Sequence, residues 1–99
     1  MENLKVKWYK RSQNQLDKIA TWYSCNMGAK AAMHFTEDVS KTVKTLSHSP
    51  QIGILEERRS TDKMKYYSIL VHPKYRIIYR YTKTTLYIVA FHATMMKHN

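Results

Sequence analysis

Residues 75–81 read Tyr-Arg-Ile-Ile-Tyr-Arg-Tyr, and the alternation in this stretch decides how the rest of the chain is arranged. A strand turns successive side chains to opposite faces. Tyr75, Ile77, Tyr79 and Tyr81 therefore share one face, and Arg76, Ile78 and Arg80 share the other. The first set predicts the side that packs on a core; the second carries two arginines to the far side of the sheet. The flanking runs, Met64 to Val71 and Thr85 to Phe91, have the same β character. They are separated from it by His72-Pro73-Lys74 and Thr82-Lys83-Thr84, and connections that short join only antiparallel neighbours. Ile54 to Arg59 predicts one more short strand, with Ser60-Thr61-Asp62-Lys63 as its turn. The C-terminal half reads as an antiparallel meander.

Toward the N-terminus the pattern becomes helical. Ala32, Phe35, Val39, Val43 and Leu46 form the apolar stripe of a helix from about 29 to 46, with Lys30, Asp38, Lys41 and Lys44 off the stripe. Leu16, Ile19, Ala20 and Tyr23 stand at i, i+3, i+4 and i+7 and predict an earlier helix. Ser12 is its expected N-cap, with Gln15 completing a capping box. Asn26-Met27-Gly28 breaks that helix, and so short a linker makes the pair an antiparallel αα-hairpin. At the start of the chain Leu4, Val6 and Trp8 alternate with Lys5, Lys7 and Tyr9, a strand expected to join the edge of the sheet. The whole is an α+β fold in one domain over residues 1–99: N-terminal strand, αα-hairpin, then a mainly antiparallel β-meander, with the helices packed on one sheet face. No third long helix is available for the other face. That face is expected to lie open, with Arg76, Ile78 and Arg80 on it, and residues 95–99 are expected to fray.

Charge narrows the partners. Seventeen Lys and Arg against seven Asp and Glu give +10 in 99 residues, beyond the magnitude of about 2–8 that solubility asks of a small domain. The surplus points to a polyanionic or acidic partner, a generically basic surface being the alternative. Arginine is the planar donor suited to phosphate or carboxylate; a solvated strand with Arg80 paired to a carboxylate is the other reading. Tyr66, Tyr67, Tyr75, Tyr79, Tyr81 and Tyr87 either stack on bases or fill the core. Cys25 is the lone cysteine, which fits a reducing compartment and a buried or inert thiol. With no apolar run of about 20 residues and no apolar leader, a soluble cytoplasmic protein without a membrane partner is expected. His34, His48 and His72 lack metal-ligand spacing, so no metal and no cofactor are expected. His92, at a strand end, is either a general acid or base or a cap on the sheet edge.

Four stretches, in order, resemble the RelE/ParE family of bacterial toxins. KRSQNQLDKIATWY (10–23) is similar to the family's first helix, and SHSPQIG (47–53) to the loop after the second. PKYRIIYRY (73–81) resembles its strand of aromatic, Arg, two apolar residues and Tyr, and TLYIVAFHAT (85–94) its last strand. The resemblance implies the toxin of a type II toxin–antitoxin (plasmid stabilization) system, neutralised by a cognate acidic antitoxin. Its ParE-type branch acts on DNA gyrase; its RelE-type branch is a metal-independent endoribonuclease that cuts mRNA on the ribosome. A degenerate toxin that only binds antitoxin is a third possibility. As a nuclease it would use Arg76 on the phosphate, His92 as acid or base, and Glu56 or Glu57 ahead of the meander. RelE-type enzymes also carry lysines on the preceding strand, where this chain has Tyr67 and Ile69, whereas another branch pairs a Glu before the meander with the arginine, and Glu56 or Glu57 stands in about that place. That incomplete set tilts the reading toward the gyrase branch. In either branch Lys74, Arg76, Ile78 and Arg80 are the expected contacts to target or antitoxin.

Overall fold

In a computed structural model, which describes residues 3–72 and 74–94, two helices pack on one face of a five-stranded sheet. Strand β1 (Lys5–Trp8) leads into α1 (Lys10–Met27) and α2 (Ala29–His48). A 3-10 turn (Pro50–Ile52) is followed by β2 (Ile54–Leu55), β3 (Tyr67–His72), β4 (Tyr75–Tyr81) and β5 (Thr85–Ala93). The sheet order is β1-β5-β4-β3-β2. The last four strands form the expected antiparallel meander, and β1 joins its edge parallel to β5, with Lys5 opposite Thr85 and Trp8 opposite Ile88. Pro73 and residues 95–99, the expected frayed tail, lie outside the described residues.

The core is where the two periodicities meet. Phe35, Val39, Val43 and Leu46 of α2 and Tyr23 of α1 pack against Ile77 and Tyr79 of β4 and Leu86, Ile88 and Phe91 of β5. Leu46, Ile77, Tyr79, Leu86 and Ile88 are wholly buried, each aliphatic among them contributing about 1.5–3 kcal/mol of transfer free energy. A bulge in β5 makes this set possible. Ile78 pairs with Ala90 but Tyr79 with Ile88, so Val89 is the extra residue. Simple alternation from Leu86 and Ile88 would send Phe91 to the far face. The bulge instead puts Val89 and Ala90 there together and returns Phe91 to the core.

Local expectations are corrected at the start of α1 and at the ends of β2 and β3. The helix α1 begins at Lys10 with Tyr9 as N-cap, and no side chain caps it; Ser12 and Gln15 have another task. Ser12 Oγ donates to the carbonyls of Tyr9 (2.6 Å) and Ile88 (2.9 Å), and Gln15 Oε1 accepts from the Phe91 amide at 2.7 Å. The pairing of β1 ends at Ile88, and beyond it the bare edge of β5 finds its partners on the helix. Strand β2 stops at Leu55 rather than Arg59, because the Glu56 carbonyl accepts from the amides of Arg59 and Ser60 and turns the chain. Strand β3 accordingly starts at Tyr67, not Met64. Of the two states expected of Cys25, buried or inert, burial is not found: the residue is exposed on α1. Between the helices Gly28 has φ 98°, a conformation that favours glycine.

Candidate target-binding face

The sheet face away from the helices carries the arginines, as alternation predicts, but it is not bare. Ile78 is only 1% exposed and Val89 6%. They form a second, thin core with Ala90, flanked by Tyr9, Tyr66 and Tyr87. Ile78 was expected to meet a partner directly; it lies beneath the surface instead. The physical reason is the absence of a covering helix. Tyrosines lie over the central aliphatics and shield them while their hydroxyls reach the rim.

On this floor two polar assemblies stand at opposite ends of β4. At one end Ser68, wholly buried in β3, donates from Oγ to Glu56 Oε2 at 2.6 Å and accepts from Arg76 Nε at 3.2 Å. A single hydroxyl thus links a carboxylate to a guanidinium. His92 is the cross-strand partner of Arg76 and is exposed. The structure therefore brings Glu56, Arg76 and His92 into one neighbourhood. Glu57 is exposed in the turn after β2, and Lys74 in the turn between β3 and β4.

At the other end Arg80 donates from Nε to the Tyr9 hydroxyl at 3.0 Å, and its guanidinium carbon lies 4.0 Å from the centre of the Tyr87 ring. Its partners are aromatic, not the carboxylate that one reading expected. The bond to Tyr9 raises its pKa above the ordinary arginine value, and with the Tyr87 ring it holds the guanidinium in place. Between the assemblies opens a hollow of about 450 Å³ lined by Tyr9, Arg11, Arg59, Tyr66 and Val89. Two cations over an apolar floor suit a segment that offers carboxylates or phosphates beside aliphatic groups.

Ser68, Tyr9, Arg11 and Arg59 were not singled out by sequence. Ser68 left a signal, as the one small hydroxyl inside the otherwise apolar run of β3. Arg11 and Arg59 left none, since each sits next to another basic residue in a stretch that reads as helix start or turn. Tyr67 and Ile69, where RelE-type enzymes carry lysines, pack against the helix-side core and turn away from Arg76. No group of three His, Cys, Asp or Glu able to hold a metal occurs among the described residues, and none of their helices is long and apolar enough to cross a membrane.

Comparison with known proteins joins these features to a family. A family model described as ParE toxin of type II toxin-antitoxin system, parDE, matches residues 6–97. No curated protein matches the chain by sequence. Among solved structures, one described as the chromosomal ParDE TA system from P. aeruginosa superposes with a TM-score of 0.73 at 16% identity, covering 91% of this chain and 95% of that one. Another, a YoeB/ParE toxin from Agrobacterium tumefaciens, gives 0.61 at 15% identity, covering 91% and 98%.

Proposed function

We propose that this chain, which belongs to the ParE toxin family of type II toxin–antitoxin systems, arrests growth by binding DNA gyrase in the cytoplasm. Membership makes it the toxin of its module and implies an antitoxin partner. That partner is acidic on the present reading, because the toxin carries +10 and opposite charge speeds encounter.

The observation that favours gyrase over mRNA is the missing second cation beside Arg76, since Tyr67 and Ile69 pack on the helix-side core. Cutting RNA through its 2′-hydroxyl needs a base, an acid and cations gathered around the pentavalent phosphate. Glu56, Arg76 and His92 do lie in one neighbourhood, with Arg76 tied through Ser68 to Glu56, but this set brings one guanidinium. Neither Tyr67 nor Ile69 supplies a second cation. A binding toxin needs none of this chemistry. Arg76, Arg80 and Lys74 then serve as contacts, and Ile78 acts from below by supporting the tyrosines.

The test runs two reactions side by side: plasmid supercoiling by purified gyrase, and translation in vitro scored for cut mRNA. Supercoiling is expected to fail, or broken DNA to accumulate, while mRNA stays whole. Cleaved mRNA with unimpaired supercoiling would overturn the reading in favour of the nuclease. An Arg76→Ala, His92→Ala double variant separates the two again. A binding toxin loses a few kcal/mol at most and regains toxicity at higher expression. A nuclease that loses one transition-state donor drops about 10²–10³ in rate.

A further inference from the structure

Six of the described cations line two hollows where the sheet ends at the β4–β5 turn. On the β1 side of that turn Lys5, Lys7 and Lys83 line a hollow of about 460 Å³, with Asn3, Leu4, Thr84 and Thr85 as the rest of its wall. On the β3 side Lys63, Lys65 and Arg80 line another of about 260 Å³. Neither hollow has a carboxylate in its lining. The turn between them is braced: Thr82 Oγ1 accepts from the amides of Thr84 and Thr85, and the Thr82 amide donates to the Thr85 carbonyl. Lys83 is therefore presented from a fixed backbone.

We propose that this end of the sheet is a sequence-independent docking surface for the phosphodiester backbone of duplex nucleic acid. The proposal goes beyond the gyrase reading and stands or falls without it. Three features carry it. The first is complementarity, six cations in two adjoining hollows that hold no acidic wall residue, facing a polymer with one negative charge per about 1.7 Å of its axis. The second is regularity. Lys5 and Lys7 are two residues apart on an extended strand, hence on the same side and roughly 6.6 Å apart, and the register with β5 fixes both. The third selects the duplex over a single strand. Single-strand recognition stacks bases on free aromatic rings, but Tyr87 already lies against the Arg80 guanidinium, Tyr9 accepts its Nε hydrogen bond, and Tyr67 and Tyr81 in the wall of the β3-side hollow pack on each other and on Tyr79. What remains available at this end is charge, which grips a backbone and does not read bases.

The experiment measures binding of a fluorescently labelled random-sequence duplex by anisotropy across a salt series, using the free protein without gyrase. A Lys5→Gln, Lys7→Gln, Lys83→Gln variant is compared with a control of equal charge loss on the helix side, Lys30→Gln, Lys41→Gln, Lys44→Gln, where all three lysines are also exposed. Thermal melting verifies that both variants fold. The expected result is a fall in log K with log salt whose slope shrinks by about 0.9 for each lysine removed at the turn, with the control close to unchanged. Equal losses in both variants would show diffuse charge attraction and overturn the site. Tighter binding of single-stranded RNA or DNA than of duplex, or no binding of any of them at low salt, would overturn the proposal as well. Gyrase inhibition that persists in the turn variant leaves the gyrase reading intact, and duplex binding by a protein inert toward gyrase leaves this one intact.

Discussion

The Tyr79 hydroxyl donates to the Pro50 carbonyl at 2.7 Å and accepts from the Gly53 amide at 2.9 Å, so one side chain of β4 satisfies both ends of the 3-10 turn after α2. Gly53 must be glycine for the same reason. A Cβ there would collide with that hydroxyl and lie 2.9 Å from the Ser68 carbonyl. Tyr79→Phe keeps the ring and strands both partners, a loss of about 1–3 kcal/mol, which for a domain of this size lowers Tm by roughly 4–8 °C per kcal/mol; a melting curve checks it. Burial pushes the Tyr79 hydroxyl up to about 12 from its ordinary 10.0. The neutral form is thus favoured when folded, and its contribution is complete below pH 10 and lost as pH rises toward 12. Stability measured across that window is expected to fall less steeply in Tyr79→Phe than in the parent protein, and an unchanged slope would remove this account. Alternation alone placed the Tyr79 ring on the core side. It could not tell which loop its hydroxyl would meet, because that contact spans twenty-nine positions. Ile78 shows the converse limit. Its face was legible, but its burial depended on tyrosines from three other segments.

At the level of elements, the helix α1 is fastened to β5 by the residues that read as its own capping box. Ser-x-x-Gln signals a hydroxyl and an amide ready for unpaired backbone groups, and that chemistry was read correctly. Which backbone it serves is a tertiary matter. Here it is the bare edge of β5, left open when β1 stops at Ile88. Gln15→Leu is expected to leave the Phe91 amide without a partner, at a cost of about 1–3 kcal/mol. Hydrogen exchange reports this directly, with protection falling first at Phe91 and its neighbours and not at the start of the helix. Loss of protection at residues 10–13 instead would restore the capping role. The stripe of α2 was legible, since it buries Phe35, Val39, Val43 and Leu46 as spaced, while in α1 only Tyr23 is buried and Leu16 and Ile19 are half-buried against the core. Strand lengths were not. Residues 54–59 and 64–66 have strand-like composition, yet the Glu56 carbonyl is taken by two turn amides and the ladder closes after two residues.

Over the molecule as a whole, the described strands and their turns carry ten Lys and Arg against three Asp and Glu, and the two helices six against three. A toxin with this excess of cations is expected to capture an acidic antitoxin by steering. Screening sets in beyond about 8–10 Å at physiological ionic strength, so the association rate is expected to fall steeply as salt rises while dissociation changes little; stopped-flow mixing of purified partners measures both, and a salt-independent association rate would contradict it. The net charge was legible from composition, but its grouping around the β4–β5 turn required the register of β1 on β5. That register has a consequence for synthesis. Lys5 pairs with Thr85, eighty positions later, so the first strand made is among the last to find its place. At about 5–20 residues per second it waits roughly 4–16 s on the ribosome, while the αα-hairpin stands with its stripe uncovered. An antitoxin already present in the cell therefore has those seconds in which to meet the chain before its sheet can close.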